Sequence, residues 1–240
     1  MDTRYYIGTS GWHYEHWRED FYPKDLAKSR WLEFYSEHFS TVELNNSFYR
    51  LPSEKAFTNW KDSSPAGFVF SVKVSRFITH IKRLRNTEEP IDNFMARTRL
   101  LGGKLGPLLY QLPQSMKRDD RRLRDFLEML PRDVRHVFEF RHNSWFDDEV
   151  FKLLRQYDCG FCIYDMPGFS TPVLATSDFA YVRFHGSQWL YGGSYSDEEL
   201  EGWAQKIAAL GVKVAYAYFN NDAGGFAIKN ALTLRQLLLK

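Results

Sequence analysis

Short apolar runs, each too brief for a helix and rich in aromatic or β-branched residues, alternate with longer segments of helical periodicity along this chain. A run of that kind reads as a strand buried on both faces. The runs end in charged or amide side chains at about eight regularly spaced points. These ends are Thr9-Ser10-Gly11-Trp12, Glu43-Leu44-Asn45-Asn46, Val72-Lys73-Val74-Ser75 and Tyr110-Gln111-Leu112-Pro113. They continue with Phe138-Glu139-Phe140-Arg141, Ile163-Tyr164-Asp165, Val182-Arg183-Phe184-His185 and Tyr218-Phe219-Asn220-Asn221-Asp222.

The intervening segments carry helix signals. Ile91, Phe94, Met95 and Thr98 share one helical face before Gly102-Gly103, and Leu123, Phe126, Leu127 and Leu130 do so between Asp119-Asp120 and Pro131. Asp147-Asp148 caps a helix through Val150, Phe151 and Leu154, and Ser196-Asp197-Glu198-Glu199 is a capping box. Further helices are predicted near Arg30–His38, Ser53–Asp62 and Ile228–Leu239. Only the stretch from Asp165 to Ala180 is too short, and too rich in Pro, Gly, Ser and Thr, to hold a full helix. The pattern predicts an α/β fold: one TIM-type barrel of about eight strand–helix units over residues 1–240, with an incomplete sixth crossover. An open doubly wound sheet is the alternative, but no strand leads into a Gly-x-Gly-x-x-Gly turn. No linker, repeat or low-complexity stretch divides the chain.

Polar groups at the carboxyl ends of parallel strands are where a barrel keeps its chemistry. Residues two apart on a strand share a face, so Glu43 goes with Asn45, Ser71 with Lys73, Glu139 with Arg141 and Arg183 with His185. Charged side chains are rarely buried unless paired, so an inward set of Glu43, Lys73, Glu139, Arg141, Arg183 and His185 requires mutual pairing or a ligand. A structural ion-pair network is the plain explanation. Buried ion pairs rarely add net stability over apolar packing, which favours a functional site.

Within that set, His185 is the candidate general acid or base, and Glu139, Glu43 and Asp165 are candidate catalytic carboxylates. Arg141 and Arg183 suit bidentate recognition of phosphate or carboxylate. Lys73 could orient an anion; a Schiff-base role lacks a local signal for a lowered pKa. Ser10, Trp12, Asn45, Tyr49, Gln111, Trp145, Asn220 and Asp222 complete the expected substrate-binding set. The loops at Gly186-Ser187, Gly192-Gly193-Ser194 and Asn221–Gly225 offer backbone amides where barrels often bind phosphate. A divalent metal could be held by Glu43, Glu139, Asp165, His80 and His185, although no His-x-His or His-Glu-x-x-His motif indicates one. A sugar-cleaving pair of Glu43 and Glu139 is a further option.

Composition narrows the partners. A net charge of +2 argues against a broad electrostatic footprint for nucleic acid, and the five basic residues from Lys117 to Arg124 are diluted by Asp119 and Asp120. An aromatic content of 17% places rings in the upper loops, where some could stack on a sugar or base. Met1-Asp2-Thr3-Arg4 leads into a strand with no apolar leader, and no apolar run approaches a membrane span, so a cytoplasmic location without membrane contact is expected. Cys159 and Cys162 lie three apart with the second inside a strand, which argues for buried, reduced thiols over a redox pair.

The ordered strand ends also resemble a known family. Gly8-Thr9-Ser10-Gly11-Trp12 with Tyr14, Trp17 and Phe21-Tyr22-Pro23, followed by Val42 to Pro52, is similar to the opening of the family called domain of unknown function 72 (YecE-like). Phe70 to Lys73, Ile78-Thr79-His80, Leu109 to Pro113, Glu139-Phe140-Arg141 with Trp145, Tyr181 to Gly186, Phe219 to Asp222 and Asn230-Ala231 extend the match over nearly the whole chain. The resemblance implies a TIM-type barrel and no particular activity. Glu19 departs from it, standing where the family pattern usually has Gly.

Three functions fit these residues. The leading one is a hydrolase or lyase acting on a phosphorylated or otherwise anionic small molecule such as a sugar or nucleotide. In it, Glu139→Gln or His185→Ala abolishes turnover and leaves the fold intact. The second is a nucleic-acid-binding or phosphodiester-cleaving enzyme whose loop aromatics receive an unstacked nucleotide. The third is a non-catalytic ligand-binding module. Nothing in the pattern specifies an oligomeric state or a resident cofactor.

Overall fold

Eight parallel strands follow one another around a nearly closed barrel in the computed structural model, which describes residues 3–239; Met1 and Asp2 of the leading segment lie outside the described residues. In chain order the strands are β1 (Arg4–Thr9), β2 (Thr41–Leu44), β3 (Val69–Lys73), β4 (Leu105–Gln111), β5 (His136–Glu139), β6 (Gly160–Met166), β7 (Phe169–Ser170), β8 (Phe179–Phe184) and β9 (Val214–Phe219). The short β7 folds back antiparallel on β6 and stands outside the ring. Helices α1 (Trp31–His38), α2 (Asn46–Tyr49), α3 (Glu54–Asp62), α4 (Glu88–Thr98), α5 (Asp120–Met129), α6 (Asp148–Gln156), α7 (Asp197–Ala208) and α8 (Phe226–Leu238) occupy the connections. No helix forms between β6 and β8, so the sixth crossover is a hairpin and loop, as its composition predicts.

The helix starts follow their local signals. Asp119 accepts from the Arg122 amide, Asp147 from the Glu149 amide, and Ser196 with Glu199 forms the reciprocal capping box. Glu19 adopts φ 71°, a left-handed backbone in which glycine would avoid a steric cost.

The seam between β1 and β2 is joined through a side chain. The hydroxyl of Tyr35, from α1, accepts from the Thr9 amide at 3.0 Å and donates to the Thr41 carbonyl at 3.1 Å. Gly8 lets the two strands approach, since a Cβ there would stand 2.4 Å from the Thr41 carbonyl oxygen. Among the described residues, no helix is long and apolar enough to cross a membrane.

Period-two alternation divides the core into two layers. Outward residues such as Val182, Phe184, Phe138 and Phe140 pack under the helices. Inward residues Tyr6, Leu109, Val137, Cys162, Phe179, Tyr181, Tyr216 and Tyr218 fill the barrel. The interior is thus half phenolic, and its hydroxyls need partners. Tyr218 meets Thr41 Oγ1 at 2.7 Å and Tyr181 meets Ser71 Oγ at 2.7 Å. Tyr181 also donates to the first carboxylate above it, Glu43, at 2.6 Å.

Candidate active site

Continuing each inward row one step toward the strand carboxyl ends gives Glu43 on β2, Lys73 on β3, Gln111 on β4, Glu139 on β5, Tyr164 on β6 and Arg183 on β8. The next step gives Asn45, Arg141, His185 and Asn220. Arg183 is the centre. Its Nε and Nη2 bind Glu43 at 2.9 and 2.8 Å, and its Nη1 binds Glu139 at 2.6 Å. Glu43 also accepts from Ser10 Oγ at 2.7 Å and Asn45 Nδ2 at 3.2 Å. Glu139 accepts from Gln111 Nε2 at 2.6 Å and from Arg141 Nε. Glu43, Glu139, Arg183 and His185 are all essentially inaccessible to solvent.

These contacts set the charge states. Burial alone would raise the Glu43 carboxyl, but the Arg183 guanidinium and hydrogen bonds from Arg183, Tyr181 and Ser10 hold it below its usual value. Burial likewise opposes ionisation of Glu139, which Arg141 and Arg183 overcome, holding it well below the carboxylate range. Glu43 and Glu139 raise the Arg183 pKa against the cost of burial. Both carboxylates are therefore ionised and occupied. Neither can act as the protonated acid of a sugar-cleaving pair.

His185 is held neutral. Burial, then the charge of Arg183, pushes its pKa well below the ordinary value. Its Nε2 faces Arg141 Nη2 at 2.8 Å and Arg183 Nη1 at 3.4 Å, both obligate donors, so Nε2 carries the lone pair and Nδ1 the proton. Asn220 Nδ2 lies 3.2 Å from Nδ1, and pairing with the protonated Nδ1 requires the amide to turn its oxygen to the ring. His185 is thus neutral and accepts from Arg141 through Nε2.

Lys73 is the exception in the cluster. Its Nζ lies 4.2 Å above the Phe48 ring, and among the described residues no carboxylate stands within ion-pair distance of it. Burial, followed by repulsion from Arg183, lowers its pKa to about 8. Arg141 sits over the Tyr164 ring at 4.4 Å, with its side chain 15% exposed. Two carboxylates thus face three cations, and the site carries one uncompensated positive charge.

Several expected residues stand elsewhere. Strand pairing sets Tyr164 beside Arg183, so Tyr164 faces the site and Asp165 points into the outer layer. There Asp165 accepts from Tyr195 at 2.8 Å and from Ser170, and burial raises its pKa. Trp145 stacks on the outward Phe140 at 4.7 Å and donates to the Met116 carbonyl, away from the barrel mouth. Trp12 packs edge-on against Trp60, while Tyr49 is 75% exposed on the rim. Asp222 accepts from Trp17 Nε1 at 2.7 Å and pairs with His16 at 2.7 Å, tying the β1 loop to the end of β9; burial raises its pKa to about 6.

In the expected phosphate loops, the amides of Gly186, Gly192, Ala223 and Gly225 already donate within the loops, to Tyr195, Trp189, Tyr191 and Asp222. Among the described residues, no three His, Cys, Asp or Glu side chains are arranged to hold a metal ion. Residue pattern alone missed Tyr181, Tyr164 and Cys162 as site neighbours. All three are the inward neighbours of named residues on their own or the paired strand, so alternation with register would have found them.

Comparisons with known proteins agree with this architecture. The family model described as Protein of unknown function DUF72 matches residues 6–240. The UPF0759 protein YunF of Bacillus subtilis is 28% identical across 97% of this chain and 94% of its own length. The UPF0759 protein YecE of Escherichia coli K12 is 31% identical over a stretch covering 48% of this chain and 43% of its own. A crystal structure of a DUF72 family protein from Thermotoga maritima superposes with a TM-score of 0.88 at 32% identity, covering 99% of this chain and all of that one. A DUF72 family protein from Enterococcus faecalis shares the fold, with a TM-score of 0.86 at 21% identity over 98% of this chain and 96% of that one. The chain belongs to the DUF72 family.

Proposed function

We propose that the protein is an enzyme, of hydrolase or lyase type, acting on a phosphorylated or otherwise anionic small molecule at the carboxyl-end mouth of the barrel. One observation carries this reading: the strand-end cluster holds three cations against two ionised carboxylates, with His185 neutral and Lys73 unpaired. An isolated buried charge is costly, so a site left one charge positive is completed by an anion. Arg183 is enclosed between Glu43 and Glu139 and acts as a strut. Lys73 and Arg141 are the cations that a ligand could reach. The lone pair of His185 Nε2 fixes the Arg141 guanidinium, and Gln111 and Arg141 keep Glu139 oriented.

The test is turnover of a panel of sugar phosphates and nucleotides, followed by mass spectrometry, in wild type and in Lys73→Met and Arg141→Met. Each variant should lose at least about a hundredfold in kcat/KM, or about 2.7 kcal/mol of transition-state stabilisation. Unchanged turnover in both would sink the assignment. A second reading, an oligonucleotide ligand, is favoured by the exposed rings Tyr49 and Trp189, which follow β2 and β8 at the same barrel end. It predicts oligonucleotide binding that weakens steeply with salt. Ligand binding with no product under any condition would make the protein a binding module instead.

A further inference from the structure

We infer that Lys73 is an amine nucleophile that forms an imine with an aldehyde or ketone group of its ligand. This rests on the proposed anion site and adds a second requirement to its ligand, a carbonyl carbon within reach of the β3 strand end. The geometry separates Lys73 from the rest of the cluster. Every other charged group there is committed: Arg183 to Glu43 and Glu139, Arg141 to Glu139 and His185. Lys73 Nζ instead rests 4.2 Å over the Phe48 ring. His80, on the segment after β3, meets the edge of the same ring at 5.0 Å, and burial followed by the charge of Lys73 lowers its pKa to about 4. The amine therefore rests on an aromatic ring that an uncharged imidazole also contacts.

Nucleophilic lysines are activated by desolvation or by a neighbouring cation. Both act on Lys73, and its pKa of about 8 follows from them. At neutrality, roughly a tenth of the population is then free amine, a few hundred times the fraction for an ordinary lysine.

The step balances within the site. The ammonium releases a proton to water, and the nitrogen lone pair attacks the carbonyl carbon. The carbonyl π pair moves to oxygen, which takes up a proton to give a carbinolamine. The hydroxyl takes a further proton and leaves as water, while nitrogen, having lost one, forms the carbon–nitrogen double bond as an iminium. One ammonium and one carbonyl have become one iminium and one water, so the charge facing Arg183 and Arg141 is unchanged. Of the two proposed reaction types this favours the lyase, because an iminium accepts the electron pair of a bond breaking at the adjacent carbon.

Reductive trapping tests the inference. The whole protein is incubated separately with pyruvate, dihydroxyacetone phosphate, glyceraldehyde 3-phosphate and ribose 5-phosphate, each with cyanoborohydride, and its peptides are mapped by mass spectrometry. Lys73 should be alkylated by at least one probe at least tenfold faster than the exposed Lys24, Lys152 and Lys213, and inorganic phosphate should slow it. Labelling of Lys73 at the surface rate with all four probes overturns the imine. Thermal unfolding with the same probes separates the two claims. Stabilisation without selective labelling removes the imine and keeps the anion site; no stabilisation by any anionic probe removes the anion site. Independently of any ligand, trace acetylation against pH should give Lys73 a midpoint near 8. A midpoint above about 10, the ordinary lysine value, overturns the inference.

Discussion

Replacing Glu139 by Gln removes the carboxylate that two guanidiniums share. Glu139 accepts from Arg183 Nη1 at 2.6 Å, from Gln111 at 2.6 Å and from Arg141. An isosteric amide keeps one acceptor oxygen and turns an NH2 group toward donors. Arg183 retains Glu43, but three cations then face one carboxylate, and the Arg183 contact that is lost lies where solvent does not reach. Removing one partner of a buried ion pair costs about 3–5 kcal/mol. At about 2–4 °C per kcal/mol for a chain of this size, the midpoint of thermal unfolding should fall by roughly 6–20 °C. Sequence alone suggests that this substitution spares the fold; full burial of the pair predicts that it does not. Urea unfolding provides the free energy, with an unchanged m-value confirming that stability alone has moved. Glu149→Gln, which breaks the exposed Lys152–Glu149 pair, is the control and should cost less than about 1 kcal/mol. Glu139→Gln should also bind inorganic phosphate more tightly than wild type, so stability and anion affinity move in opposite directions. A Glu139→Gln protein within about 1 kcal/mol of wild type would refute the buried-network argument.

Other expectations follow from the same geometry. Gly8→Ala should destabilise by several kcal/mol or prevent folding, because its Cβ would meet the Thr41 carbonyl at 2.4 Å across the β1–β2 seam; wild-type thermal stability would show the seam to be looser than described. Burial raises the Cys159 thiol to about 12 and Cys162 well above its ordinary value, so neither should react with a thiol reagent until the protein unfolds; rapid native-state labelling would contradict this. Burial lowers His80 and His136 to about 4 and His185 well below its ordinary value. Unfolded chains protonate these rings near pH 6.5 while the native state does not, so stability should fall as pH drops from about 7 to 4. Asp222, raised to about 6, and Asp165, also raised by burial, oppose this with one proton each; stability that is flat or rising toward pH 5 would contradict the assignment.

The barrel was legible because its strands and helices announce themselves locally, through apolar runs, caps and breakers. The pairing within Glu139–Arg141 and Arg183–His185 was legible too, since alternation needs only one strand. What crosses the barrel was not. Glu43 and Arg183 lie 140 residues apart, and only barrel closure makes them partners. Asp165 shows the gap most clearly: Ile163-Tyr164-Asp165 allows either Tyr164 or Asp165 to point inward, and the pairing of Tyr164 with the inward Arg183 decides it. The charge states of Lys73 and His185 were not legible either, since burial sets both first and the Arg183 guanidinium second, and burial arises only in the folded barrel.

The central claim is that the cluster's unpaired positive charge binds an anion. Thermal unfolding against sugar phosphates, nucleotides and short single strands, each with and without divalent metal, tests it most directly. A ligand at a hundred times its dissociation constant stabilises by ~2.7 kcal/mol. In a chain of this size that is a shift of roughly 5–10 °C. Such a shift is expected for one class of anionic ligand and should be lost in both Lys73→Met and Arg141→Met. A panel without a shift, or a shift that survives both substitutions, would contradict it.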